Sequence, residues 1–339
     1  MGIEDRVERV LTKLKLNKFY PFPFARSSFW QTVYGAHWPI LKPTKPDNYH
    51  QVILPDNDIV VIAENRPPQW QPGQRIMLLV HGLSGNYQST YMQRMCRRMN
   101  KKGYLVLRMN LRSCGPGRGL ARHPYHCGVS EDTRQVLHWI QRRFPNSPVT
   151  QIGFSLGGNL TLKMAGEDGS RPSGNLDSVV AVSAPIDIER ATQLVGHPQN
   201  KYLDRYSLKM LARDMTQLRH QRPDLPTVDF LDPHMTLRKF DEQFTVPVGG
   251  FKSLDDYYKT VSSINYIPEI KVPTLILSSM DDPIADGHSV LGLPTRSNLD
   301  VLLTEHGGHV GFLGFGTSYD EIRWSDQAVA RWLEDTLAI

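Results

Sequence analysis

Val149-Thr150-Gln151-Ile152-Gly153-Phe154-Ser155-Leu156-Gly157-Gly158-Asn159 decides the fold. It carries a short β-rich run through G-x-S-x-G and into a helical stretch over 157–166. A strand turning sharply into a helix strains its corner residue, and Gly153 and Gly157 remove the Cβ atoms that would block the backbone. The hydroxyl of Ser155 then projects from a sheet edge, above a helix N-terminus. G-x-S-x-G alone is more often an ordinary glycine turn. The strand before it and the helix after it make it a nucleophile elbow.

Outward from this turn, short and nearly continuous apolar runs recur at 76–80, 104–109, 179–182, 274–277 and 301–303. Such runs suit strands covered on both faces. Between them, 87–102 and 130–144 read as helices; in the second, Val136, Leu137, Ile140 and Phe144 fall three or four apart. Strand and helix in alternation imply a mostly parallel twisted sheet with helices on both faces. Ahead of it, 51–54 and 58–63 flank the turn Pro55-Asp56-Asn57-Asp58 and predict an antiparallel hairpin. The last 20 residues, with Ile322, Val329, Trp332, Leu333 and Leu337, predict a closing amphipathic helix.

Two intervals break the pattern. Residues 1–50 are rich in aromatics and proline (Phe19-Tyr20-Pro21-Phe22-Pro23-Phe24, Phe29-Trp30, His37-Trp38-Pro39) and read as an irregular arm packed on the main domain. Residues 186–270, with prolines at 198, 223, 226, 233 and 247 and short helical patterns such as 201–214, read as a mainly helical cap insertion. The core is then 51–185 and 271–339. Tyr202, Leu203, Tyr206, Met210, Leu211, Phe230, Phe244, Phe251, Tyr257 and Tyr258 of the insertion are candidates either to line an acyl pocket or to pack the cap on the sheet.

With 339 residues, 40% hydrophobic and 22% charged, the chain is expected to bury a sizeable core, which excludes fibrous, collagen-like and wholly disordered readings. The net charge of +5 is interleaved; its densest cluster, Arg97, Arg98, Lys101 and Lys102, reads as a solvated helix face, and no nucleic-acid partner is expected. Cys96, Cys114 and Cys127 form no C-x-x-C pair, so neither a disulfide framework nor a zinc ribbon is indicated. The charged N-terminus lacks a signal-peptide core, no run of 18 apolar residues occurs, and a cytoplasmic home is expected.

Serine needs a base within hydrogen-bond reach and a third group to orient that base. The run 273–279 is followed by Met280-Asp281-Asp282-Pro283, and the run 301–303 by Thr304-Glu305-His306-Gly307-Gly308-His309. Carboxylate and imidazole thus follow consecutive strands at the edge that carries Ser155. Asp282 is taken as the acid, with Asp281 its competitor. His309 is taken as the base ahead of His306, because Gly307-Gly308 leave the loop free to carry the ring inward. Backbone donors for an oxyanion are expected from Leu156, which opens the helix, and from Leu83 in His81-Gly82-Leu83-Ser84-Gly85.

Together these segments resemble the α/β-hydrolases, and more narrowly their YheT-like branch, which includes yeast medium-chain ester-forming acyltransferases and animal ABHD-type lipases. Asn110-Leu111-Arg112-Ser113-Cys114-Gly115 and Tyr125-His126-Cys127-Gly128 with Asp132 carry the likeness further. It runs from about residue 20 to the C-terminus and departs at Ser113, where relatives resemble Arg-Gly-Cys, and in lacking the N-terminal membrane segment of animal relatives. The resemblance implies Ser155 as nucleophile, Asp282 as acid and His309 as base, in esterase, acylglycerol-lipase or acyltransferase chemistry. It implies no cofactor, a small ester or acylglycerol substrate, and at most transient contact with a lipid surface. Rival readings are a metal site built from His123-x-x-His126 or His306-x-x-His309, a cysteine nucleophile, and a binding protein on a hydrolase scaffold without turnover.

Overall fold

The computed structural model describes residues 2–38, 43–315 and 322–337. Eight strands, β1 (Asn48–Ile53), β2 (Ile59–Asn65), β3 (Ile76–Val80), β4 (Leu105–Asn110), β5 (Val149–Phe154), β6 (Leu176–Val182), β7 (Thr274–Ser279) and β8 (Leu299–Thr304), form one sheet. Their order is β1-β2-β4-β3-β5-β6-β7-β8. β2 pairs antiparallel with both β1 and β4, and every other pairing is parallel. The hairpin and the apolar runs are thus the strands expected, with bounds unchanged at β3 and shifted or extended by one to three residues elsewhere.

Helices α1 (Ile3–Lys13) and α2 (Ser28–His37) precede the sheet, and α3 (Thr90–Lys101), α4 (Ser130–Arg143) and α5 (Leu156–Asp168) alternate with β3 to β6. Between β6 and β7 come α6 (Ile188–Val195), α7 (Lys201–Gln221), α8 (Leu237–Phe240), α9 (Val246–Gly249) and α10 (Leu254–Val261). After β7 come α11 (His288–Leu291) and α12 (Trp324–Thr336).

β3 shows why this sequence makes a two-sided core. Ile76, Leu78 and Val80 pack with α4 and α5 on one face, while Met77 and Leu79 pack with α3, α12 and α1 on the other. Side chains alternate faces along a strand, so a run apolar at every position must be covered twice. All five are fully buried. The insertion is helical, with a core of its own from Leu208, Leu211, Met215, Leu218, Phe240 and Phe244. No helix among the described residues is long and apolar enough to cross a membrane.

The first 50 residues correct the sequence reading, because they contain two regular helices. In α1, Val10 and Leu11 bury one face, and Leu14 just past its end joins them against Leu302 and Trp332. Burial of each such side chain is worth about 1.5–3 kcal/mol, and Lys13 pairs with Asp300 and Asp335. In α2, the proline-free stretch after Ser27, the buried Gln31 amide donates to the carbonyls of Ala25 and Leu313 at 2.7 and 2.8 Å and accepts from the Leu313 N–H. That pin, not an apolar stripe, fixes the helix. Pro39 of the aromatic stretch, and residues 320, 321, 338 and 339 of the expected closing helix, lie outside the described residues.

Candidate active site

Ser155 lies between β5 and α5 at φ +53°, a region that L residues seldom adopt. The close packing around it requires its glycines: a Cβ on Gly153 would meet the Gly157 carbonyl oxygen at 2.2 Å, and one on Gly157 the Val80 oxygen at 2.4 Å. The Ser155 amide is tied to the Val182 carbonyl at 2.9 Å. Its hydroxyl therefore stands free of the sheet, at the open end of the parallel strands.

His309 Nε2 is 2.8 Å from Ser155 Oγ, and its Nδ1 is 2.9 Å from Asp282 Oδ2. With the Nδ1 proton directed at the carboxylate, Nε2 faces the serine hydroxyl as a hydrogen-bond acceptor. Asp282 is 3% exposed, and its Oδ1 also accepts the N–H groups of Ile284 and Ala285 at 2.8 and 2.9 Å. Asp281, its neighbour, faces away. Asp281 accepts the Gly308 N–H at 2.9 Å and lies 3.4 Å from His306 Nδ1, while burial pushes its carboxyl above the ordinary value. The structure thus brings Ser155, His309 and Asp282 together and pairs His306 with Asp281 outside that chain.

The loop after β3 curls over the same point. His81 is wholly buried; it donates from Nδ1 to the Gly82 carbonyl and accepts the Leu111 N–H at Nε2, and burial drives it down to about 4, so it is neutral. The Gly82 amide donates to the Tyr91 hydroxyl at 3.0 Å and the Ser84 amide to the Tyr125 hydroxyl at 2.7 Å. The Leu83 amide lies between those two engaged groups. Leu156 is the first residue of α5, so its N–H has no acceptor within the helix.

Beside Ser155 opens a pocket of about 680 Å³, its mouth included. Leu83, Leu156, Ile188, Val195, Leu211 and Tyr257 supply apolar wall. Of the insertion residues singled out in the sequence, Leu211 and Tyr257 line this pocket, whereas Tyr202 and Tyr206 are exposed on the surface. A second chamber of about 480 Å³ shares Tyr125, His126, Leu211, Phe240 and Thr245 with the first.

Two acids from the insertion reach this region and were not singled out in the sequence. Asp241, within a π-helical turn at Asp241–Thr245, lines the pocket and accepts the hydroxyls of Thr245 and Tyr258 at 2.8 and 3.3 Å; burial pushes its carboxyl up to about 7 against those hydrogen bonds. Asp214 of α7 accepts the hydroxyls of Ser84 and Tyr125, and burial raises it also. The only signal for Asp241 was a carboxylate set between Phe240 and Phe244.

The rival groupings do not assemble. His123 pairs with Asp58 at 3.0 Å, in a cluster with Asp56 whose acids are engaged by the Arg112 guanidinium, itself bidentate to Asp132. His126 instead sits at the pocket wall, its Nδ1 accepting the Gly128 N–H, and is lowered to about 4 by burial and then by Arg112 and Lys163. The three cysteines are free thiols. Burial raises Cys96 to about 11, Cys127 to about 12 and Cys114 well above the ordinary value, so none is a ready thiolate.

Comparison with known proteins agrees with the topology. Residues 75–315 match the family described as the alpha/beta hydrolase fold. The chain is 30% identical to YheT of Escherichia coli over 84% of each chain. It is 29% identical to the phospholipase ABHD3 of Bos taurus over 70% of its own length, spanning 58% of that relative. Among solved structures, Est1E from Butyrivibrio proteoclasticus superposes with a TM-score of 0.56 at 13% identity, covering 86% of this chain and all of that one, a likeness of fold. The chain belongs to the α/β-hydrolase family, on its YheT-like branch.

Proposed function

We propose that this protein hydrolyses carboxylic esters through an acyl-enzyme on Ser155. In the first step His309 Nε2 takes the serine proton as Oγ bonds to the ester carbonyl carbon. The N–H groups of Leu83 and Leu156 receive the oxyanion, and Asp282 steadies the imidazolium. The carbon–oxygen bond to the leaving alcohol then breaks, and that oxygen takes the proton from His309. Water repeats the sequence: His309 removes its proton, the hydroxide oxygen bonds to the acyl carbon, and Ser155 Oγ leaves with the proton. The single observation carrying this reading is the chain Ser155 Oγ, His309, Asp282 at 2.8 and 2.9 Å on the wall of a largely apolar pocket.

Ester chemistry is supported by the relatives, one of which is named a phospholipase. Short to medium acyl chains suit the pocket, whose wall is largely apolar beside Ser155. Residues 51–185 and 271–339 serve as the hydrolase core, 1–50 as the arm, and 186–270 as a lid over Ser155. A second reading, transfer of the acyl group to an alcohol in place of water, uses the same residues; the chamber behind Tyr125 and Phe240 offers apolar space for a second substrate. Hydrolysis of nitrophenyl esters of graded length, run with and without ethanol as acceptor, tests both. Ethyl esters formed at the expense of free acid favour transfer, and free acid alone favours hydrolysis.

A further inference from the structure

The arm leaves a set of aromatic side chains on the surface that no other described part of the chain covers. Phe22, Phe24, Tyr34, Trp30 and Phe29 touch in succession, with ring centroids 5.2–6.4 Å apart. Phe315 extends the row at one end and Tyr202 of α7 at the other. Phe24, Phe315 and Tyr202 are 65, 67 and 62% exposed, and Trp30 is 44% exposed. Single exposed aromatics are ordinary, but a contiguous row of this length on a monomer marks a contact surface.

Its charge says what it contacts. Between Glu8 and Asp47 the sequence holds Arg9, Lys13, Lys15, Lys18, Arg26, Lys42 and Lys45 and no carboxylate. Arg9, Lys13 and Lys18 are engaged by acids elsewhere, whereas Arg26, next but one to Phe24, is exposed and makes no ion pair among the described residues. Tyr and Trp rings beside Arg26, which has no acid partner among the described residues, match the headgroup zone of an anionic bilayer, where rings sit among acyl chain ends and Lys or Arg among phosphates.

Its position says why. α2 supports the His309 loop directly: the His309 N–H donates to Thr32 Oγ1 at 2.9 Å, and Gly308 is packed so closely on α2 that a Cβ there would lie 2.5 Å from the Ser28 carbonyl oxygen. At the other end of the row, Asn200, two residues before Tyr202, donates to the Pro283 carbonyl beside Asp282. The row therefore borders the edge of the sheet where Ser155 opens. We propose that the aromatic face of 19–38, with Phe315 and Tyr202, is a docking surface for an anionic lipid bilayer, setting the pocket mouth against the membrane. The proposal stands apart from the ester chemistry, since binding is measured without turnover.

Sedimentation of the full chain with vesicles of phosphatidylcholine alone, or mixed with phosphatidylglycerol, tests it. Binding is expected on the anionic vesicles and is expected to weaken as salt is raised. Arg26→Gln should lower the anionic partition about five-fold and leave the neutral vesicles unaffected, at ~1 kcal/mol per charge near the surface. Phe24→Ser with Phe315→Ser should lower it by at least about ten-fold, the loss expected when a buried ring is removed. Unchanged hydrolysis of a soluble nitrophenyl ester and an unchanged circular dichroism spectrum would show that the variants fold. Absence of vesicle binding by the wild type, equal binding by the double variant, or a lipid-free dimer that the double variant dissociates would each overturn the proposal, the last by assigning the face to a second copy.

Discussion

Ser84 Oγ donates to Asp214 Oδ2 at 2.6 Å, so the loop that carries the Leu83 amide is hydrogen-bonded directly to the long helix of the insertion. Ser84 sits at φ +50°, and its own amide is held by Tyr125, which bonds the same carboxylate at 3.2 Å. The loop's position is therefore set from the insertion side as well as from the sheet. Asp214→Ala should lower turnover about ten-fold, less than the ~10²–10³ that outright loss of an oxyanion donor costs. Asp214→Ala combined with Ser84→Ala should cost little more than either alone, because both break one network. Additive losses in a double-mutant cycle would separate the two residues.

Asp281 and Asp282 are adjacent, yet only Asp282 reaches the imidazole. Asp282→Asn should reduce turnover by about 10⁴ with little change in KM, because the amide no longer holds the required tautomer. Asp281→Asn should cost far less and act through stability, since that carboxyl anchors the Gly308 amide. Steady-state kinetics of the two variants side by side decide the matter, and equal losses would count against Asp282 as the acid.

The sheet was legible because its strands are buried on both faces and therefore read as continuous apolar runs, and because Gly153 and Gly157 mark the elbow. The helices of the first 50 residues were not legible: prolines at 21 and 23 mask the Val7, Val10, Leu11 and Leu14 spacing on one side and the Ser27 cap on the other. The choice between two adjacent aspartates turns on which side chain faces the ring, and composition does not carry that information. Asp241 and Asp214 join the pocket only through the folding of the insertion, whose helices reach the site from residues 59 to 86 positions after Ser155.

Asp241 gives stability a pH dependence of known sign. Its folded value, about 7, lies above the ordinary 3.8. Below the ordinary value both states hold the proton and nothing is lost; as pH rises toward 7 the unfolded chain releases its proton while the folded one retains it, so stability falls. Asp241→Asn cannot ionise. The melting temperature of that variant, measured against wild type, should gain steadily between about pH 4 and pH 7 and level off above. A constant difference across that range would contradict a neutral buried Asp241.

Gly157→Ala places a methyl group 2.4 Å from the Val80 carbonyl oxygen and 2.6 Å from that of His81. Neither backbone atom yields cheaply, so the cost should be about 3 kcal/mol or more in urea unfolding, at or beyond the usual upper range of overpacking. Wild-type stability in this variant would show that β3 and α5 are further apart than described.

Labelling with a fluorophosphonate reads out whether Ser155 forms the acyl-enzyme. Wild-type protein should gain one covalent adduct, located by peptide mass mapping at Ser155. Ser155→Ala should gain none, fold normally and lose nitrophenyl ester hydrolysis by several orders of magnitude. Hydrolysis undiminished in Ser155→Ala, or an adduct on another residue, would rule out an acyl-enzyme on Ser155.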